Sequence, residues 1–115
     1  MAYDEELAVR IRQALRQRTD MTERKMFGGL SFLRDGRMCC GIVGNGLVVR
    51  VLDKEMSSVL QRVHVRPMDF TGKPLRGFVY VAPDAIVTDG GLRDWIARGL
   101  AFTEQNASTT RRRLR

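Results

Sequence analysis

The sequence predicts a two-layer α+β domain in which helices cover one face of an antiparallel sheet. Two turn signals, Asp35-Gly36 and Asn45-Gly46, divide residues 30–51 into three short strands. Segments with apolar residues at helical spacing lie before and after this region. The expected order of elements is α-β-β-β-β-α-β-α.

The composition is that of one globular domain, since 43% of the 115 residues are hydrophobic and 29% are charged. No apolar run approaches the ~18 residues that a membrane span requires. The acidic start of the chain is unlike a secretion signal. We therefore expect a cytoplasmic protein that has no membrane partner.

The net charge of +7 is concentrated at the end of the chain. We expect residues 1–105 to form the domain and residues 106–115, which are polar and basic, to be a disordered tail. Four arginines of this tail are candidates for electrostatic contact with nucleic acid: Arg111, Arg112, Arg113 and Arg115.

The first element is predicted to be a helix, because Asp4 can cap it and an apolar face follows. Leu7, Ile11 and Leu15 occupy that face at helical spacing. A strand over Thr22–Phe27 comes next, and the two glycines after it favour a bulge or a sharp corner.

The central strands are predicted over Leu30–Arg34, Arg37–Gly44 and Leu47–Val51, joined by two-residue turns. Such turns fix the register, and paired residues share a face of the sheet. One face is apolar and is expected to lie under the helices: Leu33, Met38, Cys40, Ile42, Leu47, Val49 and Val51. The other face is mixed and is the candidate interaction surface: Phe32, Arg34, Arg37, Cys39, Val43, Val48 and Arg50.

The remaining elements follow from periodicity and turn residues. We predict a helix over Asp53–Arg62, a loop over residues 64–76 and a short strand over Gly77–Val81. Phe78 and Tyr80 alternate along this strand with two valines. A final helix over Leu92–Thr103 completes the domain.

No catalytic or cofactor-binding constellation can be identified in the sequence. His64 is the single histidine, and no glycine-rich stretch has the spacing of a phosphate or dinucleotide loop. Cys39 and Cys40 lack the additional ligands of a zinc site, so we expect no metal and no cofactor. Because neighbouring strand residues point to opposite faces, Cys40 is expected in the core and Cys39 at the surface.

Two segments carry a family resemblance: KMFGGLSF at residues 25–32 and RPMDFTGKPLRGFVYV at residues 66–81. Together with the two hairpins and the last helix, they resemble the N-terminal domain family of TfoX, a regulator of natural competence also called Sxy. The resemblance covers residues 4–103. It implies a two-layer α+β fold like that of secretion chaperones and a non-catalytic role in transcriptional regulation.

The leading functional hypothesis is a non-catalytic regulatory module that contacts other proteins and forms a homodimer through the mixed sheet face. An alternative is nucleic-acid binding by the arginines of that face and of the tail. Base-stacking sheets display several aromatic side chains, however, and this face is expected to offer mainly Phe32. A small enzyme is the third and least favoured class.

Overall fold

The computed structural model describes residues 3–26, 28–69 and 74–113, without the side chains of residues 74–76 and 106–113. These residues form a six-stranded antiparallel sheet and three α-helices, which confirms the α+β class. None of the helices in these ranges is long and apolar enough to cross a membrane. In chain order the elements are α1 (Glu5–Ala14), β1 (Met21–Met26), β2 (Gly29–Arg34), β3 (Arg37–Val43), β4 (Gly46–Arg50), α2 (Asp53–Val59), β5 (Val65–Asp69), β6 (Pro74–Val81), a short 3-10 helix (Pro83–Ile86) and α3 (Asp89–Arg113).

The sheet has the strand order β1-β2-β3-β4-β6-β5. Strand β5 lies in the segment 64–76, for which the sequence predicted a loop. Its proline, Pro67, argued against a strand, but β5 is an edge strand and an edge position tolerates a residue without an N–H group. The element order therefore contains one strand more than expected.

Helix α1 begins as the sequence predicts. One side-chain oxygen of Asp4 accepts hydrogen bonds from the backbone N–H groups of Glu6 at 2.9 Å and Leu7 at 3.2 Å. These bonds satisfy donors that have no partner within the helix. The predicted apolar face is buried, with Ile11 fully inaccessible to solvent.

Helix α3 runs to Arg113, well past the predicted end at Thr103 and into the segment assigned to a disordered tail. The tail was predicted from its polar and basic composition, whereas Ala107 and the arginines at 111–113 have good helix propensity. The side chains of Arg111, Arg112 and Arg113 are not described, and Arg115 lies outside the described residues. Their electrostatic role stays a prediction.

The hydrophobic core lies between the helices and one face of the sheet. Buried side chains of α1, α2 and α3 join a single cluster with strand residues from β2, β3, β4, β5 and β6. The strand residues of this cluster are Leu30, Phe32, Cys39, Cys40, Ile42, Leu47, Val49, Val65, Val79 and Val81.

The first central hairpin has the predicted register. Arg34 pairs with Arg37, and both turn residues have positive φ angles, 50° at Asp35 and 82° at Gly36. These angles are those of a type I′ turn. The dipeptide therefore specified both the turn type and its position.

The second hairpin turns one residue earlier than Asn45-Gly46 predicted, and this shifts the pairing of β3 with β4 by two residues. Val43 pairs with Gly46, so the turn residues are Gly44, with a φ of 61°, and Asn45. Gly46 is required in the strand instead, because a Cβ there would collide with the ring and hydroxyl of Tyr80. The pairing partner of Val48 changes from Val43 to Gly41, and a shift of two residues leaves every side chain on its expected face.

Candidate interaction surface

A β-bulge in β3 rearranges the predicted interaction surface. Leu33 pairs with Met38 while Phe32 pairs with Cys40, so Cys39 is an extra residue without a partner in β2. The sequence had predicted a regular strand, in which Phe32 pairs with Cys39. The assignment of Phe32 and Cys39 to the mixed face is wrong, because both belong to the core cluster with exposures of 2% and 0%.

Both cysteines are buried free thiols. The Cys39 thiol donates a hydrogen bond to the backbone carbonyl oxygen of Ile96 in α3, with a sulfur–oxygen distance of 3.7 Å. The pKa of the Cys40 thiol is raised by its hydrogen bond with Cys39 and by burial. The expectation of a surface-exposed Cys39 is therefore wrong, and the bulge is the reason.

Arg34 and Arg37 lie on the side of the sheet that carries the helices. Arg34 Nε is 3.0 Å from a carboxylate oxygen of Asp20, and Arg34 Nη1 is 4.0 Å from Glu104 of α3. Arg37 pairs with Arg34 and so shares its face. Hydrogen bonds from Arg18 and Arg34 hold the pKa of Asp20 at about 2. Arg34 therefore belongs to an ion-pair network with Arg18, Asp20 and Glu104 beside the helices.

Arg50, at the end of β4, is enclosed by aromatic rings. Its guanidinium carbon lies 4.2 Å from the ring centroid of Phe78 in β6 and 4.1 Å from that of Phe102 in α3. Its Nε is buried and has no hydrogen-bond partner among the described residues, and burial lowers its pKa. Arg50 therefore joins α3 to the sheet by cation–π contacts rather than forming the rim of an interface.

The face that remains, opposite the core, differs in its residues from the predicted one. Val48 pairs with Gly41 and with Tyr80, and Tyr80 pairs with Arg66, so these side chains share the face opposite the core. Val48 is fully buried but does not belong to the core cluster. We call this surface the open face and define it by six residues: Leu33, Met38, Val43, Val48, Arg66 and Tyr80.

The open face combines a buried layer with partly exposed side chains above it. Met38, Val43 and Tyr80 are partly exposed. The Tyr80 ring covers Gly46, and the guanidinium carbon of Arg66 lies 4.3 Å from the ring centroid. Stacking of this kind keeps the ring in one orientation. On this surface apolar side chains lie beside an aromatic ring and a cation.

Sequence reasoning placed two of the six open-face residues, Val43 and Val48, in the candidate surface. Leu33 and Met38 had been assigned to the core face, and this assignment is wrong because the bulge at Cys39 puts them on the opposite face from Cys40. Tyr80 and Arg66 were missed because the pairing of β4 with β6, and of β6 with β5, was not predicted. The alternation of aromatic residues with valines in Gly77–Val81 was the available signal, since it places Tyr80 on the face opposite Val79.

The described residues contain no cluster of three or more histidine, cysteine, aspartate or glutamate side chains that could hold a metal ion. The arrangement of the open face is suited to contact with another macromolecule. It supplies a methionine, an aromatic ring and a guanidinium group, and these three residue types are enriched where protein surfaces meet.

Comparison with known proteins identifies one matching family. The model of the TfoX N-terminal domain family matches residues 13–103, which confirms the resemblance seen in the sequence motifs. No curated protein and no solved structure matches the chain. The matched range contains all six strands, and with them the whole open face.

Proposed function

The chain belongs to the TfoX N-terminal domain family, and on that basis we propose that it is a non-catalytic regulatory module acting in transcription through protein contacts. The open face carries this proposal. One face of an antiparallel sheet that meets water usually presents polar side chains. Here Met38, Val43 and Tyr80 are partly exposed on that face instead.

We propose a second copy of the chain as the first partner of the open face. Most soluble oligomers are two-fold dimers, in which the same patch of both subunits meets. Such a dimer would bury the apolar side chains of the face and leave Arg66 to stack at its margin. The rigid Arg66–Tyr80 stack reduces the conformational entropy that is lost on association.

The test compares two valine-to-aspartate variants. Val43→Asp places a carboxylate on the open face, while the control, Val63→Asp, changes a valine that is 91% exposed and belongs to no described strand. Light scattering should show that wild type and the control associate as the protein concentration rises, and that Val43→Asp stays monomeric. Far-UV circular dichroism should show that all three proteins fold alike.

Two results would contradict self-association through this face: a wild type that stays monomeric at high concentration, or equal dimerisation of Val43→Asp and the control. Val48 is unsuitable for this test, although the sequence had favoured it as an exposed position. A carboxylate at a side chain with 0% exposure would be buried without a partner, and unfolding would mask any effect on association.

Nucleic-acid binding is the second candidate, and it is favoured by the net charge of +7. The open face supports it poorly, because the Tyr80 ring is already covered by Arg66 and offers little surface to a base. Fluorescence anisotropy with a labelled oligonucleotide at low salt tests this alternative. Saturable, salt-dependent binding would favour it, and absence of binding would exclude it.

A further inference from the structure

The helical layer contains a basic cleft between α1 and the start of α3. The cleft has a volume of about 310 Å³ and lies beside the buried side chain of Leu92. Three arginines line it together with Gln13, Ala14 and a single carboxylate, that of Asp89: Arg10, Arg16 and Arg93. None of these residues belongs to the open face.

The positive charge of this cleft is poorly neutralised. Arg10 Nη2 lies 3.4 Å from Asp89 Oδ1, but the Asp89 side chain is 78% exposed, so this ion pair is weak. Arg16 and Arg93 are exposed and have no ion-pair partner within the described part of the chain. Three guanidinium groups at one cleft repel one another, and the site gains stability when an anion binds between them.

Two further features orient the cleft toward an anion. Arg10 Nη2 also donates a hydrogen bond to the carbonyl oxygen of Val87 at 3.3 Å, which holds its guanidinium group in place. Asp89 is the first residue of α3, so the positive end of a long helix dipole borders the same cleft. Both features favour negative charge in the cleft that the three arginines line.

Guanidinium groups are planar and donate paired hydrogen bonds that match the oxygens of phosphate. The volume of the cleft is near the lower end of the range for small-molecule sites. We propose that the cleft between α1 and α3 binds a small molecule that carries a phosphoryl or pyrophosphoryl group. Arg10, Arg16 and Arg93 would be its ligands.

Isothermal titration calorimetry with inorganic pyrophosphate and inorganic phosphate tests the proposal, with sodium chloride of matched ionic strength as the reference. Pyrophosphate should bind saturably and raise the unfolding temperature. Replacing one charge-assisted hydrogen-bond donor in an exposed site, as in Arg93→Gln or Arg16→Gln, should weaken binding about tenfold. The matched control is Arg24→Gln, which removes an exposed arginine of β1 that does not line the cleft. It should leave the affinity unchanged.

Four outcomes would overturn the proposal. The first is that pyrophosphate fails to saturate the protein. The second is that sodium chloride alone gives the same stabilisation, which would show a general ionic effect and no site. An equal loss of affinity in Arg24→Gln would show that net charge, not the cleft, is recognised. Finally, an oligonucleotide that binds more tightly than pyrophosphate and loses affinity in Arg93→Gln would identify nucleic acid as the ligand.

Discussion

The contact between α3 and the bulge of β3 predicts a large effect for one small substitution, Gly99→Ala. A Cβ at Gly99 would overlap the carbonyl oxygen of Cys39 and would lie 2.9 Å from both its carbonyl carbon and its sulfur. The overlapping atoms are mainly backbone, so no side-chain rotation can relieve the clash. Either the helix or the bulged strand must move, and the core beneath them must repack.

Two opposing contributions set the magnitude. Overpacking in a dense core costs about 1–3 kcal/mol, and the upper part of that range applies because the obstacle is backbone. Alanine gains about 1 kcal/mol over glycine from helix propensity. The expected net loss is about 2 kcal/mol, and for a domain of this length it lowers the Tm by roughly 8 °C.

Urea unfolding followed by circular dichroism measures this loss against a control in the same helix. At Gly90, in the first turn of α3, a Cβ would meet no atom within 4 Å. Gly90→Ala should therefore raise the free energy of unfolding by about 0.5–1 kcal/mol. If Gly99→Ala were as stable as wild type, the close approach of α3 to the bulge would be refuted.

Two further predictions concern the reactivity of the cysteines and the dependence of the free energy of unfolding on acidic pH. Neither Cys39 nor Cys40 should react with a thiol reagent in the folded protein, because both are inaccessible, and rapid labelling of the native state would contradict the bulge. The pKa of Asp20 is about 2 in the folded protein against an ordinary value of 3.8. Its stabilising contribution is therefore present above pH 3.8 and is lost as the pH falls toward 2. Asp20→Asn should remove that part of the acid dependence in urea titrations, and an unchanged profile would show that Arg18 and Arg34 do not stabilise the carboxylate.

Local signals predicted the fold where one dipeptide or one cap decides the structure. Asp35-Gly36 gave a correct turn because both of its residues adopt the positive φ angles that a type I′ turn requires. Asp4 gave a correct helix start for a similar reason, since its side chain satisfies two backbone donors within the next three residues. Neither outcome depends on a contact with a distant part of the chain.

Features that depend on distant contacts were missed. The position of the second turn depends on Tyr80, which requires a glycine at position 46 and so moves the turn to Gly44 and Asn45. Strand β5 exists because β6 offers it a pairing edge, and the edge position makes Pro67 acceptable. Local sequence around the turn or around Pro67 therefore cannot predict these features, because both depend on residues of β6.

The two errors in the predicted register had unequal consequences for the candidate surface. The difference depends on whether the strand shifts by an even or an odd number of residues. The turn at Gly44 shifts the pairing of β3 with β4 by two residues, which preserves the face of every side chain. The bulge adds a single residue in β3, and one residue is enough to move Phe32 and Cys39 from the expected open face into the core. A sheet surface predicted from turn signals is therefore reliable only as far as the first bulge. In this chain that bulge is at Cys39, next to Cys40, and both thiols are buried.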